Sequence, residues 1–169
     1  GHSEELYPQG QGFDINIGGW ARGGPYTGKK YFAPFENPQM EVESPEGEHL
    51  PARLARDTAE FIEANKDQPF LAYYPMNLVH DMAGGGIPTT PVDGTPGSNK
   101  GGSLQGLVEY IDILVGRLMD GLEAAGLREN TIVIFTCDNG ENGKKMHASE
   151  DGPRVPFIVN CPGLIQQRG

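Results

Sequence analysis

LQGLVEYIDILVGRLMDGLEAAGLRENTIVIFT, residues 104–136, decides how the fold is read. Leu104, Leu107, Val108, Ile111, Leu114, Val115, Leu118 and Leu122 fall on one stripe at helical spacing. Gly126 follows, a residue suited to end a helix. Residues 131–136 are then a β-branched run, predicted as a strand. Working outward, Leu50, Leu54, Ala55, Ala59, Phe61 and Ile62 recur at helical spacing and predict a second helix over 50–65. Residues 70–74, Phe-Leu-Ala-Tyr-Tyr between Pro69 and Pro75, read as a buried strand, and residues 155–160 as another. Strand, helix and strand at this spacing form a βαβ unit with a right-handed crossover. The expected fold is α/β, a mostly parallel sheet flanked by helices.

The rest of the chain is poorer in pattern. Its 25 glycines and 14 prolines exceed ordinary usage, and many lie in residues 1–51 and 82–102, so long irregular segments are expected there. A chain of 169 residues suits one domain, here 1–51 irregular and 52–169 α/β. The formal charge of −10, from 23 acidic against 13 basic residues, argues against nucleic acid or anionic membrane surfaces as partners. An anion would have to be met by a local cluster of cations. No apolar run approaches the ~20 residues that span a bilayer. The opening GHSEELYPQG lacks a signal-peptide pattern, which predicts a cytosolic chain or one whose leader has been removed. Cys137 and Cys161 border apolar runs and read as buried free thiols rather than a disulfide.

In a parallel α/β sheet, ligands gather beyond the carboxyl ends of the strands. Asp138 and Asn139 stand just past 131–136, and His80 stands past 70–74. Carboxylate and amide oxygens are hard donors that suit Ca²⁺ or Mg²⁺. Taken alone, Asp-Asn-Gly is a favoured turn, and a lone histidine is more often a satisfied structural residue. Against that stands the functional reading, in which His80 hydrogen-bonds a leaving oxygen or gives it a proton. Lys144 and Lys145 read as solvated surface unless an oxyanion lies near them. His2, His49 and His147 offer less, with His49 placed on the polar side of a helix start.

The order of these pieces resembles the sulfatase family, of the alkaline-phosphatase-like superfamily. Gly12-Phe13-Asp14 opens the series, followed by Phe61-Ile62-Glu63-Ala64-Asn65-Lys66 before the 70–74 run and His80 after it. Tyr110-Ile111-Asp112-Ile113-Leu114-Val115-Gly116-Arg117 resembles the family's Tyr-x-Asp-x-x-Val-Gly-Arg helix, and Asp138-Asn139-Gly140 its Asp-Asn-Gly. Lys145 stands nine positions before Arg154, and Glu150, Gly152, Val155 and Pro156 keep register with the family's lysine loop. Met146, His147, Asp151 and Pro153 depart from it.

The resemblance implies hydrolysis of sulfate esters. It implies Asp138 and Asn139 as ligands of Ca²⁺ (with Mg²⁺ as the alternative), and His80 and Lys145 as contacts to the sulfate ester, with His80 in the catalytic role. It further implies a sulfated small molecule or glycan as substrate and a periplasmic, secreted or lysosomal setting. The family's nucleophile is a formylglycine made from a Cys/Ser-x-Pro-x-Arg motif, and no such motif is present in this sequence. The chain resembles the later part of a catalytic domain, expected to be inactive alone and to self-associate through an exposed sheet edge. Another metal-dependent phosphoesterase or phosphonoesterase of the superfamily is one alternative, and a non-catalytic remnant or binding module is the other. His80, Asp138, Asn139 and Lys145 are expected to converge at one edge of the sheet.

Overall fold

The computed structural model describes residues 3–20, 31–35, 37–40, 44–78, 104–140 and 154–165. They divide into two compact units, Gly1–Gly121 and Leu122–Gly169.

The first unit begins with two short 3-10 helices over Glu4–Leu6 and Pro8–Gln11. The Gly12–Gly19 stretch is held by side-chain amides. Asn16 donates to the Gly19 carbonyl at 2.7 Å and accepts from its N–H at 3.0 Å, while Asn37 donates to the Gly18 carbonyl at 2.9 Å. Residues 31–35 run beside 47–49. Phe32 bridges His49, Ala33 N–H donates to Glu48, and Gly47 N–H donates back to Ala33. Gly47 has φ 79° in the turn that Glu48 N–H closes onto Pro45, a position that favours glycine.

Helix α1, Leu50–Ala64, starts with Pro in its first turn, where the missing N–H costs nothing. It ends at Asn65, whose side chain donates to the Phe61 carbonyl at 2.8 Å. Helix α2, Leu104–Ala124, matches the predicted stripe, with Leu107, Leu114 and Leu122 buried. It stops as predicted at Gly126, φ 71°, where Leu127 N–H donates to Leu122 and Gly126 N–H to Glu123. This is the paired pattern of a Schellman motif. Ala52 and Ala55 of α1 pack with Tyr110 and Leu114 of α2 in the core of this unit. The small alanines leave room for the larger side chains opposite.

Residues 70–74 are not the buried strand expected. No strand is assigned there, and Leu71 and Tyr73 are 76% and 74% exposed. The anchoring residues are the flanking ones. Phe70 meets Phe61 edge-on at 5.6 Å, and the Tyr74 hydroxyl donates to the Pro51 carbonyl at 3.0 Å. Tyr74, Met76 and Leu78 then alternate inward onto the helix core, the period of an extended chain. The segment is extended by packing on one side, but among the described residues no neighbouring strand forms a ladder with it.

In the second unit, a 3-10 turn at Arg128–Asn130 leads into β1, Val133–Thr136, which pairs with β2, Phe157–Asn160. The pairing is antiparallel, Val133 opposite Asn160 and Thr136 opposite Phe157. The only sheet among the described residues therefore runs opposite to the parallel arrangement expected. The strand–helix–strand count that predicted parallel order needs the 70–74 run as its first strand, and that run forms no ladder. Ile134, Val159 and Phe157 share one face of the pair, and all are exposed. After β2 the chain turns tightly, and Gly163 lies so close to the Glu129 carbonyl that a side chain there would overlap it.

Candidate metal site beyond the first strand

Asp138 and Asn139 follow β1 at the place the sequence indicated. The backbone leaves its ladder at Thr136, and Cys137 and Asp138 are exposed. Asp138 Oδ1 accepts from Asn139 N–H at 2.9 Å, a local turn contact. The Cys137 thiol lies 3.6 Å from the same oxygen and 3.3 Å from the Asn139 carbonyl. Asn139 Nδ2 donates to the Gly140 carbonyl at 2.9 Å. Among the described residues, Asp138 Oδ2 and Asn139 Oδ1 have no hydrogen-bond partner. The turn reading and the ligand reading therefore coexist: one carboxylate oxygen orders the turn and the other remains open.

These are hard oxygen donors of the type Ca²⁺ takes, and they fit it in kind. In number they supply two of the six to eight oxygens such an ion uses. Among the described residues, no three His, Cys, Asp or Glu side chains gather as a metal set. His80 and Lys145 lie outside the described residues, so the expected convergence on Asp138 concerns positions on which the structure is silent. Cys161 is buried and free as expected, whereas Cys137 is free and exposed, because the chain has already left the strand when it reaches it.

The family-like segment 61–66 resolves into packing and surface roles. Ile62 is buried, Phe61 meets Phe70, and Lys66 pairs with Glu63 at 2.5 Å on the surface. The Glu63 carboxylate raises the Lys66 ammonium above its usual value.

Sequence reasoning missed a buried polar cluster at the start of α1. Arg53 Nε lies 2.7 Å from both carboxylate oxygens of Asp57, and its Nη1 donates to Ser44. Arg56 reaches Glu48 at 2.5 and 3.3 Å. His49, read as polar surface, is buried against Tyr31, Phe32 and Tyr110. The aromatic residues at 31–32 were the available signal. The first unit also holds a groove of about 1150 Å³ lined by Phe13, Trp20, Met40, Phe61, Phe70 and Tyr73 among others.

Two solved structures share the fold of this chain. The chain is similar to Ps i-CgsB, crystallised with k-i-k-neocarrahexaose, at TM-score 0.67 and 20% identity, covering 96% of this chain and 42% of that one. It is also similar to the protein yidJ from Bacteroides fragilis, at TM-score 0.55 and 25% identity, covering 79% and 35%. The sequence model of the Sulfatase family matches residues 2–168, and the chain belongs to that family. Similar proteins include the N-acetylgalactosamine-6-O-sulfatase of Bacteroides thetaiotaomicron, 29% identical over 63% of this chain and 24% of that protein. The steryl-sulfatase of Rattus norvegicus is 30% identical over 69% and 22%. The ulvan-active sulfatase of Formosa agariphila is 28% identical over 78% and 32%. The chain thus aligns with about a third or less of the length of these relatives.

Proposed function

We propose that this chain carries part of the active site of a hydrolase of sulfate esters, with Asp138 and Asn139 as ligands of a divalent cation. The observation that supports it is the pair of open oxygens directly beyond β1, in a chain matched by the sulfatase family. Ca²⁺ suits these donors, with Mg²⁺ second, and when bound it would offset the charge of a sulfate group. His80 is assigned to the leaving oxygen of the ester and Lys145 to a sulfate oxygen. The substrate is a sulfated small molecule or glycan, in line with the names of the relatives. The net charge of −10 supports the exclusion of nucleic acid and of anionic membrane surfaces. Among the described residues, no helix is long and apolar enough to cross a membrane. A periplasmic, secreted or lysosomal setting belongs to the same proposal.

Without a Cys/Ser-x-Pro-x-Arg motif the chain has no formylglycine, so on its own it is expected to turn over no aryl sulfate. Calorimetric titration should find calcium binding near ~1 mM, the weak end of oxygen-ligand sites. Asp138→Ala should abolish it. Calcium binding unchanged in the variant would remove Asp138 from the site. Metal-dependent turnover of an aryl sulfate by the purified chain would overturn the inactivity.

Self-association is part of the same reading, since the exposed Ile134, Val159 and Phe157 face of the β1–β2 pair suits contact with a second copy. Sedimentation should show mass rising with concentration, and a strict monomer at high concentration would count against it.

A further inference from the structure

Outside the proposed sulfate-ester site, one titratable side chain sits where three segments of the first unit meet. The His49 residue is 1% exposed. Its ring lies 4.9 Å from Phe32, 5.4 Å from Tyr110 and 6.0 Å from Tyr31, tilted by 31° to 34° in each case. Nδ1 is 3.4 Å from the Tyr110 hydroxyl, and Nε2 has no hydrogen-bond partner among the described residues. The backbone of His49 bridges Phe32, and its carbonyl accepts the Arg53 N–H at 3.0 Å in the first turn of α1. One residue therefore joins the 31–35 segment, the start of α1 and the side of α2.

A neutral imidazole can occupy this box. An imidazolium cannot do so cheaply, because it would bury a charge and a second N–H without an acceptor. The charges nearby are already matched. On its own segment the Glu48 carboxylate is held by Arg56, and along α1 Arg53 is held by Asp57. Tyr31 and Tyr110 contribute phenols, as does Tyr74, whose hydroxyl is bound to the Pro51 carbonyl. Phenols carry no charge in acid. Among the described residues, neither of these two carboxylates is left over to welcome a proton on His49.

We propose that His49 is an acid-release latch: neutral, it holds residues 31–35 and the start of α1 against α2, and protonated, it lets them part. Burial pushes the imidazole down from 6.5 to about 4. The folded value is the lower one, so the latch contributes fully above pH 6.5 and is lost progressively as pH falls toward 4. At pH 5 proton linkage weakens the folding equilibrium roughly 30-fold relative to neutral pH.

The test compares the full chain with His49→Gln by urea unfolding between pH 7.5 and 5. The His49 ring resonance is followed by NMR and assigned by its absence from the variant. The wild-type equilibrium should fall roughly 30-fold over that window and that of the variant markedly less. The ring should stay neutral in the folded chain down to pH 5. Equal losses in the two proteins, or a folded-state ring titrating near 6.5, would overturn the latch. If His49→Gln does not fold, the histidine signal that stays neutral at pH 5 while the chain is folded identifies the latch. Four histidines that all titrate near 6.5 refute it.

Discussion

Asp57→Ala should lower the stability of the chain by about 3–5 kcal/mol, a large share of the roughly 5–15 kcal/mol that holds a domain folded. Asp57 is 9% exposed, and its two oxygens share Arg53 Nε at 2.7 Å. Arg53 is 3% exposed. Removing the carboxylate takes the Asp57 pairing from a buried guanidinium, and the cost is the desolvation of that cation rather than the worth of one ion pair. Replacing both residues with apolar ones of similar volume should recover most of the loss. Urea midpoints of the two variants measure this directly. A loss below about 1 kcal/mol in the single variant would mean that water already reaches Arg53.

Leu114→Ala should cost about 3 kcal/mol, within the 2–5 kcal/mol range of such truncations. Leu114 is 0% exposed and packs with Ala52, Ala55 and Tyr110. The alanines opposite cannot extend into the space, so a cavity remains and its surface adds to the lost transfer energy. Val108, on the same helix and 54% exposed, provides the contrast. Val108→Ala should change stability by less than about 0.5 kcal/mol. Denaturant unfolding with an unchanged slope distinguishes the two, and equal effects would mean that Leu114 is not part of the core.

The two helices were legible in the sequence because a helix buries its own periodic stripe, and the 3.6-residue repeat of Leu107, Leu114 and Leu122 survives in any context. Tyr110, noted only for its place in a family-like motif, was left off the apolar stripe because of its hydroxyl, although it is among the most buried residues. Gly126 was legible for a local reason, the left-handed backbone that ends α2. Strand pairing was not legible. An apolar run such as 70–74 predicts extension, but a ladder is a property of its neighbours, and strand direction leaves no mark on the strand itself. The Arg53–Asp57 pair reads in sequence like any solvated i, i+4 pair, since nothing local announces that it lies under residues 44–48. Of the candidate site, the position of Asp138 and Asn139 past a strand was readable from order alone. What completes such a site comes from distant segments, and sequence order carries no distances between them.

The β1–β2 pair joins residues on either side of the 137–156 stretch. Its four-residue strands must bring together positions far apart in sequence before the first ladder bond forms, and closure entropy opposes them. Helix α2 forms from contacts three and four residues apart and meets no such delay. The ladder is therefore a late event on the folding path and an early one to open, and the turn that carries Asp138 takes its shape only after the helices are in place.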